Sequence, residues 1–144
     1  MRIALASDHA AVALKALLVE HVRALGHDAV DLGPVGDARV DYPDFGDRLA
    51  RAIAAGEADS GIALCGSGIG ISIAVNRHPA CRCALVSEPL SAALARQHND
   101  ANVLAMGARL IGPDLARACV ESFLAAAFEG GRHQTRVDKL SRKD

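Results

Sequence analysis

The chain has 144 residues, 51% hydrophobic and 23% charged, a balance that suits one folded unit with an apolar core and leaves too little polar bias for a disordered chain. Sixteen Lys and Arg stand against 17 Asp and Glu, so at a formal net charge of -1 no strong field draws the chain to nucleic acid or to an anionic membrane. Aromatic residues make up only 3% and Trp is absent, which removes the usual material of base-stacking surfaces and leaves an aliphatic, alanine-rich core.

Short apolar runs alternate with helical patterns along the whole chain. A strand is predicted over 2–7, followed by a helix in which Leu14, Leu17, Leu18, Val22 and Leu25 recur at helical spacing and Gly26 marks the stop. A second strand is predicted over 28–32, and a helix over 43–56 opens with Pro43 and closes with Gly56. The third strand, 60–65, runs into a glycine-rich segment near 67, from which a helix continues to just before Pro79. Strands over 82–87 and 102–107 follow, with helices over 89–99 and 113–128, each begun by a proline. Repeated strand-helix units of this length predict a single α/β domain over residues 1–144. Its architecture is a three-layer, doubly wound, five-stranded parallel sheet with helices on both faces, of the Rossmann-like or flavodoxin-like kind. The tail over 129–144 is basic and polar, and reads either as a solvated, partly frayed end or as an arm reaching a ligand or a neighbouring subunit.

The four cysteines at 65, 81, 83 and 119 form neither a C-x-x-C pair nor a zinc-knuckle spacing, so a disulfide framework is not expected. The apolar N-terminal run is too short for a signal peptide, and no apolar stretch reaches the roughly 18 residues of a membrane span. A soluble, cytoplasmic protein without a membrane partner is the expectation.

In a doubly wound sheet, ligands collect at the carboxyl ends of the strands. Three predicted strands end there in polar residues: Ser7-Asp8-His9, Cys65-Gly66-Ser67-Gly68-Ile69-Gly70 and Gly107-Ala108-Arg109. Alternating glycines let several amides converge on one anionic oxygen, although the same pattern also serves a tight strand-to-helix turn. Cys65 stands directly before these amides and a helix start, which favours a thiolate; the competing reading is a buried apolar cysteine, the one adopted for Cys81, Cys83 and Cys119. Asp8 reads equally as a helix N-cap or as a catalytic carboxylate, and His9 as a first-turn surface residue. His98 lies near a helix end, where the dipole favours a charged imidazole without any function. Arg132 and Arg136, four apart, could grip one phosphate if the tail is helical, or simply be solvated.

Taken together and in order, these segments resemble the ribose-5-phosphate isomerase B family, which also contains galactose-6-phosphate isomerase subunits. The likeness runs from Ser7-Asp8-His9 through Asp41-Tyr42-Pro43-Asp44, the segment from Cys65 to Ser72, Ser87-Glu88-Pro89, the segment from Arg96 to Leu104, Gly107-Ala108-Arg109 and the segment from Gly130 to Val137. The resemblance implies an aldose-ketose isomerase that interconverts ribose 5-phosphate and ribulose 5-phosphate through a cis-enediolate, with no metal and no cofactor. Cys65 would be the base and Ser67 a proton shuttle, while the amides of Gly66, Ser67, Gly68, Ile69 and Gly70 would hold the developing charge. Asp8 and His98 would assist ring opening, and Asn99 would position sugar oxygens. His9, Arg132 and Arg136 would bind the phosphate, with Arg109 nearby. One branch of the family carries a glutamate base at the position of Ile71, which leaves Cys65 for that role here. The family often has glycine where this chain has Ala11.

Chain topology adds an expectation of its own. His98 closes a helix leading into the last strand and so lies at the amino edge of the sheet, whereas Cys65 lies at the carboxyl edge, roughly 17 Å away across a strand of about five residues. The tail arginines share that edge. A homodimer, or a tetramer built from it, is expected, its site joining Asp8, His9, Cys65 and Ser67 of one subunit to His98 and the tail arginines of the other. Other readings are the same chemistry on allose 6-phosphate, galactose 6-phosphate or an erythrulose phosphate, a non-catalytic sugar-phosphate-binding module, and a flavin or nucleotide binder of the same fold.

Overall fold

In the computed structural model, which describes residues 1–141, five parallel strands and six helices follow one another in chain order. They are β1 (Arg2–Ser7), α1 (Val12–Ala24), β2 (Asp28–Asp31), α2 (Tyr42–Ala54), β3 (Ser60–Cys65) and α3 (Ile69–Asn76). The second half adds β4 (Cys83–Leu85), α4 (Pro89–Asn99), β5 (Val103–Gly107), α5 (Pro113–Ala125) and α6 (Arg132–Leu140). A 3-10 turn over His9–Ala11 leads into α1.

Because successive strand residues point to opposite faces, each central strand divides its side chains between two cores. Ile3 and Leu5, Ile62 and Leu64, and Leu104 and Met106 face one way and meet Leu18 and Val22 of α1, Ala92 of α4 and Phe123 of α5. Ala4 and Ala6, Ala63 and Cys65, and Val103 and Ala105 face the other way and meet Phe45 and Leu49 of α2 and Ile71 and Val75 of α3. The first face is built from large residues and the second from small ones, so α2 and α3 sit close to the strands. A β-carbon at Gly61 would lie 2.8 Å from Leu49, and one at Gly46 would lie 2.9 Å from Ala74. Each fully buried Leu or Ile contributes about 1.5–3 kcal/mol, which makes these two layers the main source of stability.

The sheet order is β2-β1-β3-β5-β4. From β1 the chain winds outward to β2 over the α1 face, then returns over the opposite face through α2 to β3. The reversal opens a crevice at the carboxyl ends of β1 and β3, where an open α/β sheet places its ligands.

Several elements are shorter than the sequence pattern implies. The fourth strand stops at Leu85 instead of 87, because Glu88 takes an extended backbone and caps α4, its carboxylate accepting from the amides of Leu90 (2.6 Å) and Ser91 (2.7 Å). The helix predicted over 113–128 ends at Ala125, with Ala126 already extended. Over 132–140 the tail is helical instead of frayed. Gly130 and Gly131, both at positive φ, turn the chain so that α6 packs on α4 and buries His133 and Val137. Arg142 and Lys143 of the basic tail lie outside the described residues.

Candidate active site

The crevice holds an open cavity of about 560 Å³. Asp8 from the end of β1, Cys65 from the end of β3 and the loop Gly66, Ser67, Ile69 and Gly70 form its polar wall, with Arg109 from the turn after β5. Tyr42, Ile73 and Leu110 complete the lining.

Local structure explains how these groups are held. Cys65 is the last residue of a buried strand and is 3% exposed. The chain then reverses at Gly68, whose φ of +77° is the left-handed region, and a β-carbon there would lie 2.7 Å from the Met106 carbonyl carbon. This turn brings the Gly68 amide back onto Cys65, donating to Sγ at 3.1 Å. The Ile69 amide donates to Ser67 Oγ at 3.2 Å. Two of the five amides expected to face a ligand are therefore engaged inside the loop, a consequence of its tightness. Gly107 lies under the same loop, where a β-carbon would sit 2.6 Å from the backbone of Ser67.

Asp8 does what the capping alternative expects: its Oδ1 accepts from the Ala10 amide at 2.9 Å while the carboxylate still borders the cavity. His9 Nδ1 lies 3.1 Å from the carbonyl and 3.2 Å from the amide of Val40, which fixes the ring beside the α2 approach. Arg109 is exposed, and its guanidinium lies over Gly66, the nearest nitrogen 3.3 Å from where a β-carbon would be.

Tyr42 belongs to a segment that carries the family likeness but was given no role in the site. It is the only tyrosine of the chain and opens α2, and its ring lies on Gly70, where a β-carbon would be 2.5 Å away. The pairing of a loop glycine with an aromatic at the start of a different helix is a tertiary signal, and neither residue carries it alone.

His98, Asn99, Arg132 and Arg136 are not brought to this cavity. The Gly61 amide donates to the Asn102 carbonyl (2.9 Å) at the amino end of β3, whereas Cys65 pairs in register with Gly107 at its other end. His98 precedes Asn102 by four residues, so it belongs to the amino edge. Asn99 borders a separate cavity of about 350 Å³ with Arg82, Cys83 and Leu140. Arg132 and Arg136 are exposed on α6. The remaining thiols pack as small hydrophobes: burial pushes Cys81 up to about 11 and Cys83 up to about 12, and raises Cys119 as well, so none ionises readily.

The sequence matches the family described as Ribose/Galactose Isomerase over residues 3–140. It is 46% identical over 140 residues to ribose-5-phosphate isomerase B of Escherichia coli, an overlap that spans 97% of this chain and 94% of that protein. Its fold is similar to that of ribose-5-phosphate isomerase B from Clostridium thermocellum, with a TM-score of 0.96 and 45% identity over 98% of this chain and 95% of that one. It is also similar to type B ribose 5-phosphate isomerase of Trypanosoma brucei, with a TM-score of 0.95 and 43% identity over 97% and 96% of the two chains.

Proposed function

Because the chain belongs to the ribose/galactose isomerase family, we propose that it interconverts ribose 5-phosphate and ribulose 5-phosphate by proton transfer through a cis-enediolate. The observation that carries this reading is Cys65: a sulfur at the switch point of the sheet, facing an open cavity and held by a backbone donor. Cys65 removes the proton from one carbon and returns it to its neighbour. Ser67 moves protons at the two oxygens, and loop amides and dipoles stabilise the enediolate without reorganising. Asp8 and His98 open the sugar ring, Asn99 orients its oxygens, and His9, Arg109, Arg132 and Arg136 hold the phosphate. The reaction uses no metal and no cofactor.

This division of labour requires two subunits. His98, Asn99 and the α6 arginines lie at the edge of the sheet remote from Cys65, and no rotamer change spans a strand of roughly 17 Å. A homodimer that sets the amino edge of one chain against the carboxyl edge of the other completes the site. Ile69 (51% exposed), Ile73 (52%) and Leu110 (68%) rim the cavity with apolar surface that such a partner would cover. Among the described residues no helix is long and apolar enough to cross a membrane, and four free cysteines suit the reducing cytoplasm.

The test is conversion of ribose 5-phosphate in the presence of EDTA, with wild type beside Cys65→Ala and four-carbon and six-carbon sugar phosphates in parallel. Turnover of the pentose that is lost in the variant is the expected result. Turnover of another sugar alone would retain the chemistry and change the substrate, and silence on every sugar would leave a binding module.

A further inference from the structure

Three groups outside the cavity converge where α4 ends. The Glu129 amide donates to the Gln97 carbonyl at 2.9 Å, which pins the loop after α5 to the last turn of α4. Gly130 (φ +67°) and Gly131 (φ +55°) then reverse the chain, so that α6 starts beside α4. As a result the rings of His98 and His133 stack with centroids 4.2 Å apart and planes 11° from parallel. Glu129 Oε1 lies 3.6 Å from His98 Nε2 and 3.7 Å from His133 Nε2.

His133 is 6% exposed, and its Nε2 has no hydrogen-bond partner among the described residues although it faces the carboxylate. A buried polar atom left this way calls for an explanation, since such groups are almost always paired. An imidazole nitrogen that carries no proton offers a lone pair, which either a hydrogen-bond donor or a metal cation can engage.

The donor set is two imidazoles and a carboxylate, each offering one atom, all within 4.8 Å of one another. In a tetrahedral zinc site with bonds of about 2.0–2.1 Å, neighbouring ligand atoms are about 3.3–3.4 Å apart. The two histidine-to-carboxylate edges are already within a few tenths of that. The stacked rings must splay for both lone pairs to meet one ion, and His98, with its side chain 37% exposed, is free to tilt. Two nitrogens and one oxygen suit zinc and its neighbours, whereas magnesium and calcium require oxygen-rich shells.

We propose that His98, Glu129 and His133 form a binding site for a zinc-class divalent ion, with His98 Nε2, His133 Nε2 and Glu129 Oε1 as ligands, and that its occupation reversibly inhibits the enzyme. Binding stands on the geometry alone. Inhibition rests on the functional reading above, because a metal-bound His98 cannot exchange protons with the ring oxygen of a sugar.

Zinc binding is measured by equilibrium dialysis on the full chain carrying Cys65→Ala, so that the active-site thiol is not a ligand, and the same chain is titrated with cobalt for its visible absorption. One ion per chain is expected, with affinity lowered by Glu129→Gln and by His133→Gln by more than the roughly 10–100-fold that loss of a ligand's outer-shell partner costs. Glu129 is exposed, so its variant keeps the fold if the buried His133 does not tolerate change. Absence of binding at tens of micromolar zinc, or binding untouched by Glu129→Gln, would overturn the site. In parallel, turnover of the chain with its native Cys65 is followed with zinc and after EDTA. Zinc inhibition reversed by EDTA in the otherwise unmodified chain and absent in Glu129→Gln is expected; binding without inhibition would overturn the inhibitory role. Should no sugar phosphate be turned over, the dialysis still decides the site, and only the functional reading fails.

Discussion

At Cys65 the competing readings of a single residue are separable by experiment. A buried apolar cysteine and a catalytic base look alike in sequence, and the geometry has features that suit each: the residue is 3% exposed, yet its sulfur receives the Gly68 amide and borders the cavity. Cys65→Ala is expected to stop exchange of the C1 and C2 hydrogens with solvent while inorganic phosphate still competes for the site. Normal exchange in that variant would remove Cys65 as the base. His98→Asn should slow turnover of ring-closed substrate at least about 100-fold, the scale of lost acid-base assistance, and barely affect an open-chain analogue. Equal loss on both would contradict ring opening. Asp8 teaches the complementary lesson, because capping the 3-10 turn and bordering the cavity are simultaneous uses of one carboxylate.

Among the elements, the loop between β3 and α3 is held by backbone shape more than by any side chain. Gly68→Ala adds a β-carbon 2.6 Å from Leu85 and 2.7 Å from the Met106 backbone at a φ of +77°, so a loss of about 1–3 kcal/mol and a displaced Cys65 are expected. Gly36→Ala supplies the control, since its φ is +87° but nothing lies within 4 Å, and only the strain of about 1–2 kcal/mol should appear. Urea midpoints of the two variants, read beside turnover, measure the difference. At the opposite edge, Asp59 joins β1 to β3 by accepting from the amide (2.8 Å) and guanidinium (3.0 Å) of Arg2, and these hold its carboxyl below the ordinary 3.8. A depressed carboxyl adds stability that is present above 3.8 and lost as pH falls through its folded value. The exposed pair contributes little, and the wild type and Asp59→Asn should differ in urea midpoint at pH 6 and converge in acid. An unchanged gap at low pH would show that the pair does not titrate with folding.

For the whole molecule the decisive quantity is the separation between the two edges of the sheet. If the site is shared, inactive Cys65→Ala and His98→Asn chains regain activity once their subunits exchange. Half the dimers are then mixed and each holds one intact site of two, so about a quarter of wild-type activity is expected. Failure to recover while exchange is demonstrated by mass would place the whole site within one chain.

The sequence by itself determined the layers and most of the candidate residues. Alternation with a period of two separates Ile3 and Leu5 from Ala4 and Ala6, helical spacing marks α1, and prolines and glycines punctuate α2, α4 and α5. These are local signals, each written in a few consecutive residues. The sheet order, the docking of α6 on α4, the contact of Tyr42 with Gly70 and the meeting of His98, Glu129 and His133 were decided only in three dimensions. Each joins residues from separate elements, and what brings them together is the burial of helix faces on a twisted sheet, a condition on the whole chain that no short window of sequence contains.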